Sequence, residues 1–166
     1  MWKSENRNAK IIHVFLPKPG EKMKQVIKKV YPDIILSTVS IIDDIHTKFK
    51  QYFKGESIGF SLDNIALEQL YDFQKKVLLL ERQIPYGQVS TYGSLAHKLG
   101  HPGAARAVGT ALARNPFPII IPCHRTIRSD GSLGGFGGGL KLKRQLLELE
   151  GVRFDKKGRV VMDKVW

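Results

Sequence analysis

Residues 115–125 read NPFPIIIPCHR, and this stretch decides how the fold is interpreted. Three consecutive isoleucines occupy 119–121, and a short run that is β-branched and apolar throughout predicts a fully buried strand. The run continues through a proline into Cys123, His124 and Arg125. A reactive side chain at the end of a buried strand is rigidly held, so the pattern predicts a functional site built on Cys123.

Cys123 is the only cysteine in the chain. A disulfide within the chain is therefore impossible, and no cysteine pair is available for a zinc site. A free cysteine is commonly a small buried hydrophobic residue, and that inert role is one interpretation. The alternative role is a solitary nucleophile, which the neighbouring residues favour.

The residues beside Cys123 supply what a nucleophilic thiol needs. A thiol with its reference pKa of about 8.5 is largely protonated at neutral pH, so it requires a base or a positive field. His124 and Arg125 are adjacent, but neighbours on an extended chain point to opposite faces, so His124 could reach the sulfur only through a turn or a bridging water. A cysteine protease would take its histidine from elsewhere, and no motif supports the other four: His13, His46, His97 and His101.

Composition and charge point to a globular protein that contacts nucleic acid. The 166 residues are 42% hydrophobic and 25% charged, which excludes disordered, collagen-like and coiled-coil classes. The formal net charge is +12, from 27 basic and 15 acidic side chains. No carboxylate lies between Glu81 and Asp130, although that segment contains many arginines and histidines. A long basic segment without acidic residues predicts a surface that meets phosphates.

The first 64 residues predict a small α/β domain. Residues 11–16 are β-branched and apolar and precede a proline- and glycine-containing turn, which predicts a strand. Apolar residues at three- and four-residue spacing predict helices over 23–30 and from 41 or 42 to 53. A long third helix is predicted from a cap at Asp63 or Asn64 through residue 82, and we place the domain boundary near residue 64.

Two helices joined by a short glycine-containing turn are predicted next. Ser90 or Thr91 caps the first, which runs through residue 99, and the second covers about 103–114. This outline is typical of a helix-turn-helix. The second helix is rich in alanine and glycine, with Val108 and Leu112 facing a core and an outward cluster of Arg106, Thr110 and Ala113. Such a narrow helix is either tightly packed or suited to a DNA groove.

A glycine-rich loop and a final helix complete the chain. Residues 131–139 contain six glycines, which predicts a loop whose backbone approaches a ligand closely. It is not a phosphate-binding loop, because no Gly-Lys-Ser/Thr follows. The final helix is predicted over 140–149 and precedes Glu150. Its leucines 142, 146 and 149 are expected inward, and its basic residues outward: Lys141, Lys143 and Arg144.

These motifs resemble the O6-alkylguanine-DNA alkyltransferases, also called methylated-DNA--protein-cysteine methyltransferases. The resemblance spans about residues 65–151 and is carried by IPYG at 84–87, STY at 90–92, ARAVG at 105–109, NPFPIIIPCHR at 115–125 and the glycine loop. It implies an α/β N-terminal domain over 1–64. Over 65–166 it implies a mainly α-helical DNA-binding and alkyl-transfer domain with a winged-helix-like helix-turn-helix.

The resemblance implies DNA repair by direct, irreversible transfer of a methyl or larger alkyl group from guanine O6 to Cys123. The substrate would be double-stranded DNA containing O6-alkylguanine, with O4-alkylthymine as a further candidate, and the damaged nucleotide would be flipped out. His124 would accept the thiol proton through a water, and Glu150 would hold the imidazole tautomer. Asn115 would order the cysteine turn, and Tyr92 would donate its phenol to the leaving guanine.

The resemblance also implies how DNA and the flipped base are held. The second helix would enter the minor groove, and Arg106 would take the place of the flipped base. DNA contacts are expected from Arg106, Ala105, Thr110, Arg114 and Arg125. The base pocket is expected to contain Thr126, Phe136 and Gly137, with the carbonyls of Cys123 and Thr126 on the exocyclic amine and the Gly137 amide on O6.

Two positions depart from the family pattern, and two other functions remain alternatives. Phe136 stands where many members have tyrosine, and Leu78 replaces a common tryptophan. No metal or coenzyme is required, and the zinc site of some relatives cannot form in an N-terminal half without cysteines.

The alternatives are a non-catalytic protein that binds alkylated DNA, in which the reactive cysteine is replaced, and a helix-turn-helix transcription regulator, which would need no thiol.

The sequence also bears on location. Residues 1–10 are polar and lack the apolar centre of a signal peptide, and no apolar run approaches the roughly 18 residues of a membrane helix. We therefore expect a soluble, cytoplasmic monomer that does not bind membranes.

Overall fold

The computed structural model describes residues 2–5, 8–35, 40–163 and 165–166. Within these residues, six α-helices accompany two small two-stranded sheets, so the fold is mixed α/β. By internal contacts the chain divides into two units, Met1–Ala66 and Leu67–Trp166.

An antiparallel hairpin begins the first unit. β1 (Trp2–Glu5) pairs with β2 (Asn8–Ile11), with Trp2 opposite Ile11. The Ile11 N–H also donates to the Asn64 carbonyl at 2.7 Å, and the Ile11 carbonyl accepts from the Ala66 N–H at 2.9 Å. The residues just before the second unit are therefore tied to the hairpin as extended chain.

The strand predicted over 11–16 is wrong beyond Ile11, where β2 ends. In a strand, the Cα atoms of residues two positions apart, and hence the roots of their side chains, are separated by about 6.6 Å. The rings of His13 and Phe15 instead stack with centroids 4.1 Å apart, and both meet the edge of Tyr31. Aromatic packing therefore replaces ladder pairing in this apolar run.

Both helices predicted for the first unit are confirmed. α1 spans Met23–Val30 and α2 spans Ser40–Phe53. Tyr52 of α2 is buried, and Phe49 packs on buried Phe60 with ring centroids 5.1 Å apart. The amphipathic spacing of α2 thus gives the first unit its aromatic core.

α3 spans Asp72–Glu81 in the second unit, so the predicted cap at Asp63 or Asn64 is wrong. The Ser61 hydroxyl donates to Asp63 Oδ2 in a local turn, and the following residues pair with Ile11. That pairing holds Ile65 in a parallel bridge with Ile11. The helix therefore starts only after Tyr71, which has extended dihedrals.

The two helices predicted after α3 are confirmed as α4 (Tyr92–Lys98) and α5 (Ala105–Ala113). Thr91 caps α4, because its hydroxyl accepts from the Ser94 N–H at 3.0 Å. On α5 the predicted faces are also confirmed. The buried side includes Val108 and Leu112, and the exposed side includes Arg106, Thr110 and Ala113.

A short parallel pair anchors the region around the cysteine. β3 (Ser90–Thr91) pairs with β4 (Thr126–Ile127) in parallel register. Ile127 belongs to a hydrophobic cluster that also contains Val89, Leu147, Val152 and Val160. The segment after Cys123 is therefore fixed to the segment before α4.

The predicted strand at 119–121 is wrong, although all three isoleucines are buried. The chain makes a tight turn here, in which the Ile121 N–H donates to the Phe117 carbonyl at 2.8 Å. Ile119 adopts φ +73°, a left-handed conformation that costs a β-branched residue on the order of 1–2 kcal/mol.

The final helix is confirmed as α6 (Gly139–Leu149), but one of its faces is not as expected. Lys143 was predicted outward and is fully buried, whereas Lys141 and Arg144 are exposed. The Lys143 ammonium group donates to carbonyl oxygens inside the protein, and helical spacing alone cannot predict such acceptors. Among the described helices, none combines the length and hydropathy that crossing a membrane would require.

Candidate active site

Cys123 begins a single 3₁₀ turn, Cys123–Arg125, that follows the tight turn of the isoleucines. Asn115 braces that approach: its Nδ2 donates to the Ile121 carbonyl at 2.9 Å, and its Oδ1 accepts from the Phe117 N–H at 2.9 Å. The Cys123 N–H donates to the same Ile121 carbonyl at 2.8 Å. One asparagine side chain therefore joins both ends of the turn that presents the thiol.

The 3₁₀ turn brings His124 and Arg125 together on Glu150, the residue after α6. Nε2 of His124 lies 2.8 Å from Oε1 of Glu150. Arg125 donates to both carboxylate oxygens, at 2.8 and 2.9 Å, and its third donor reaches the Ile84 carbonyl at 2.7 Å. The Gly87 N–H adds a longer bond to Oε2, at 3.3 Å. The result is a buried carboxylate surrounded by donors.

Burial sets the protonation of the thiol and the imidazole. It raises the pKa of the Cys123 thiol to about 12, only partly opposed by Asn115 and Lys143. Burial also lowers the pKa of His124, although Glu150 acts to raise it. For Glu150, burial opposes ionisation, but bonds from His124 and Arg125 outweigh it and lower the pKa to about 2. At neutral pH the site therefore holds a thiol, a neutral imidazole and a carboxylate.

The bond to Glu150 also selects the imidazole tautomer. An ionised carboxylate only accepts hydrogen bonds, so Nε2 of His124 carries the proton. Nδ1 is then the basic nitrogen of the ring. The arrangement can accept a proton at Nδ1 while Glu150 stabilises the resulting imidazolium.

A cavity of about 500 Å³ opens beside Cys123. This volume lies within the roughly 300–1,000 Å³ range of small-molecule sites. The walls come from α5, from the start of α4 and from the glycine-rich loop. The lining residues are Tyr92, Ala105, Arg106, Gly109, Leu112, Ala113, Cys123, Arg128 and 134–137.

Tyr92 and the glycine-rich loop fit closely against each other. A Cβ at Gly134 would lie 2.6 Å from the Tyr92 hydroxyl oxygen, and the φ of Gly134 is +66°, so glycine is required there. Burial raises the pKa of Tyr92, with further contributions from Glu81 and Cys123, so its phenol stays protonated and can donate. Phe136 and Gly137 also face the cavity, and the Phe136 ring meets His124 edge-on at 6.3 Å.

The exposed side of α5 lies at the cavity mouth. Arg106 is exposed and lines the cavity together with Ala105 and Ala113. Thr110 is exposed one turn further along, with its hydroxyl bonded to the Arg106 carbonyl at 3.1 Å. Arg114 follows the helix and is also exposed. These residues form one narrow, basic edge beside the thiol.

Two of the predicted site residues are placed elsewhere. Arg125 was expected on DNA, but it is buried and all three of its bonds go to Glu150 and Ile84. Thr126 was expected in the base pocket, but it is fully buried, does not line the cavity, and its carbonyl accepts from Lys143 at 2.6 Å. Both side chains therefore hold the cysteine turn from inside the protein.

Three residues near the thiol were missed by sequence reasoning. Arg128 lines the cavity, and its position in the segment without acidic residues could have marked it as a candidate site residue. Glu81 and Lys143 are buried beneath the site, where both act electrostatically on Cys123. No pattern marked them, because charged residues on helices ordinarily face solvent. In the described part of the chain, no cluster of three metal-ligating side chains occurs.

Comparisons with known proteins agree on one family. Residues 72–152 match the family model described as 6-O-methylguanine DNA methyltransferase, DNA binding domain. A Haemophilus influenzae protein named methylated-DNA--protein-cysteine methyltransferase is 45% identical over 119 residues, which are 71% of this chain and 65% of that relative. A Methanosarcina acetivorans protein of the same name is 41% identical over 129 residues, 78% of this chain and 81% of the relative.

A solved structure gives the same result. The Mycobacterium tuberculosis OGT in complex with DNA superimposes with a TM-score of 0.61 at 44% identity, covering 65% of this chain and 66% of that one. The chain thus covers less than two thirds of the Haemophilus relative and of the Mycobacterium structure.

Proposed function

The chain belongs to the methylated-DNA--protein-cysteine methyltransferase family, and from that premise we propose that it repairs DNA by moving an alkyl group from guanine O6 to Cys123. The observation that carries the proposal is the thiol itself. Cys123 lies on the wall of a cavity of about 500 Å³, next to a buried histidine–carboxylate pair. A non-catalytic DNA-binding protein would need neither the thiol nor that pair.

The transfer is a single displacement at the alkyl carbon. His124 accepts the proton of Cys123 at Nδ1 through an intervening water, and Glu150 stabilises the imidazolium. The sulfur then forms a bond to the alkyl carbon while the bond from that carbon to O6 breaks. Tyr92 donates its phenolic proton toward the leaving guanine, whose developing negative charge is thereby neutralised, and the proton held by His124 passes through water to restore the phenol. No metal or coenzyme takes part.

The flipped guanine occupies the cavity. Phe136 supplies an aromatic wall without the hydroxyl that many relatives carry, and the Gly137 amide points toward O6. Since the Thr126 carbonyl already accepts from Lys143, the Cys123 carbonyl is the more accessible acceptor for the exocyclic amine. Expulsion of the damaged base from the duplex costs a few kcal/mol, which binding must offset.

α4 and α5 form the helix-turn-helix that binds the duplex. α5 enters the minor groove with its small residues against the backbone, and Arg106 fills the space that the flipped base leaves. Ala105, Thr110 and Arg114 make the neighbouring contacts. The exposure of Arg106, Thr110 and Arg114 and the place of Ala105 and Arg106 on the cavity wall support this arrangement, as does the net charge of +12.

In this proposal the chain has two functional parts, with the bounds that the sequence predicts. Residues 65–166 bind DNA and transfer the alkyl group, and residues 1–64 form a separate α/β domain. The protein acts as a cytoplasmic monomer.

Transfer of label tests the proposal. The protein is incubated with duplex DNA carrying O6-methylguanine labelled in the methyl group, and radioactivity on the protein is measured. We expect label on the wild type and none on Cys123→Ala, with DNA binding by the variant nearly unchanged, because groove and phosphate contacts come from other residues. DNA binding without label on the wild type would favour the non-catalytic alternative.

A further inference from the structure

Glu81, the last residue of α3, is a fully buried carboxyl group without a role in the proposed transfer. The Thr126 hydroxyl donates to its Oε2 at 2.5 Å. Among the residues that the structure describes, Oε1 of Glu81 has no hydrogen-bond partner. A buried ionised carboxylate with one donor is strongly disfavoured, whereas a neutral carboxyl group tolerates this environment.

α6 places an ammonium group beside the same threonine. Nζ of Lys143 donates to the Thr126 carbonyl at 2.6 Å and to the Gly135 carbonyl at 3.3 Å. Thr126 is thus held by Glu81 through its side chain and by Lys143 through its main chain. Because Thr126 comes three residues after Cys123, this cluster supports the turn that presents the thiol.

The charges of Glu81 and Lys143 act on the thiol in opposite directions. A charge on Glu81 raises the pKa of Cys123, and the charge on Lys143 lowers it. Burial raises the pKa of Glu81 to about 8, and burial lowers the pKa of Lys143 to about 8. The other groups that act electrostatically with this pair come from the 3₁₀ turn, from α4 and from the residue after β4: Cys123, His124, Arg125, Tyr92 and Arg128.

We propose that Glu81 is a positioning residue for alkyl transfer: as a neutral acid bonded to Thr126 it leaves the Lys143 ammonium as the charge near Cys123 at neutral pH, and its ionisation in alkaline solution, where Lys143 also loses its proton, suppresses the thiol. The proton released by Glu81 passes to solvent, and no other reactant is needed. This inference rests on the proposed function. It predicts that the gain in thiol reactivity with rising pH is curtailed above about pH 8.

The pH dependence of thiol alkylation tests this role without DNA. Cys123 is the only cysteine, so the rate of its reaction with iodoacetamide reports on this thiol alone. The variant Glu81→Gln has the same shape, stays neutral at every pH, and its amide can still bond Thr126. We expect rates within about twofold of wild type at pH 7. At pH 9.5, above the pKa of Lys143, the two proteins differ chiefly in the Glu81 charge, and we expect the variant to react about three- to tenfold faster, since one unit of thiol pKa is a tenfold change in thiolate.

Two further variants make the result specific. Glu148→Gln removes an exposed carboxylate of α6 that pairs with Arg144, and it should follow wild type at every pH. Lys143→Met removes the positive charge and should slow alkylation about three- to tenfold at pH 7. Thermal unfolding of each variant checks that it is folded. If Glu81→Gln does not fold, the wild-type profile decides: an alkylation rate that keeps rising about tenfold per pH unit from pH 8 to 9.5 would overturn the inference.

Identical profiles of wild type and Glu81→Gln up to pH 9.5 would overturn the inference, as would an unaffected rate in folded Lys143→Met. The proposed function fails separately, if the wild type takes no methyl group from O6-methylguanine while its thiol still shows the expected profile. If the inference and the proposed function are both correct, the single-turnover transfer rate should show the same difference between wild type and Glu81→Gln at pH 9.5.

Discussion

Glu150 and Glu81 are both buried carboxyl groups, but their surroundings differ sharply. Glu150 bonds residues of the cysteine turn, and Glu81 bonds Thr126 directly after it. Glu150 receives bonds from His124, Arg125 and Gly87. Glu81 receives one bond, from the Thr126 hydroxyl. The pKa of Glu150 is lowered to about 2, and that of Glu81 is raised to about 8.

The difference shows that a buried acid stays neutral unless its hydrogen-bond donors and neighbouring charges outweigh the cost of burial. Desolvation disfavours ionisation in both places, but a guanidinium and an imidazole N–H outweigh it at Glu150. At Glu81 the hydroxyl, Lys143 and Arg125 do not. The site thereby holds one carboxylate that orients His124 and one neutral acid that leaves a positive charge near the thiol.

Glu150→Gln is expected to have the largest effect. The change leaves the buried Arg125 guanidinium without its counter-charge, which typically costs 3–5 kcal/mol, so we predict a loss of about that size in the free energy of unfolding. Alkyl transfer should fall by about 100-fold or more, because the tautomer of His124 is no longer fixed. Denaturant unfolding and single-turnover labelling measure the two effects. Glu81→Gln is the matched control, and near-equal stability losses at pH 7 in the two variants would contradict the comparison.

The two carboxyl groups should also stabilise the fold in opposite pH windows. Glu150 has a lowered pKa, so its contribution is present above 4.5 and is lost as pH falls toward 2; wild type should lose about 3 kcal/mol relative to Glu150→Gln across that window. Glu81 has a raised pKa, so wild type should lose stability relative to Glu81→Gln as pH rises from 4.5 to 8. Unfolding free energies at several pH values test both, and a common direction would refute the assignment of charges.

Tyr92→Phe should have a smaller effect that separates proton donation from charge. The variant keeps the ring against Gly134 but loses the phenol, whose raised pKa keeps it a donor. We expect transfer from O6-methylguanine to slow by about 100-fold, with a change in stability of about 1 kcal/mol or less. Iodoacetamide alkylation should keep the alkaline dependence assigned to Glu81. An unchanged transfer rate would remove Tyr92 as the donor.

The elements with local signals were predictable from the sequence. α1, α2, α4, α5 and α6 follow apolar spacing and caps such as Thr91. The family resemblance carried by these motifs also implied the histidine–carboxylate pair that the structure brings together. These features depend on residues that are close in sequence or on a recognisable order of motifs.

The features that depend on distant partners were not predictable. Three isoleucines indicate burial, but periodicity cannot distinguish a short strand from the turn that Ile119 makes at φ +73°. The burial of Arg125 depends on Glu150, 25 residues away. Lys143 was expected to face outward and nothing marked Glu81 as buried, because only the folded chain shows that both residues bond Thr126.

The stoichiometry of transfer tests the central claim most directly. A thioether formed on Cys123 is not readily hydrolysed, and the chain has no second cysteine to accept the group. With methylated duplex in excess, we predict that repair stops at one methyl group per active chain and that peptide mass analysis places the added methyl on Cys123. Repair that continues beyond one equivalent without a restoring reagent, or a methyl group found on another residue, would contradict the account.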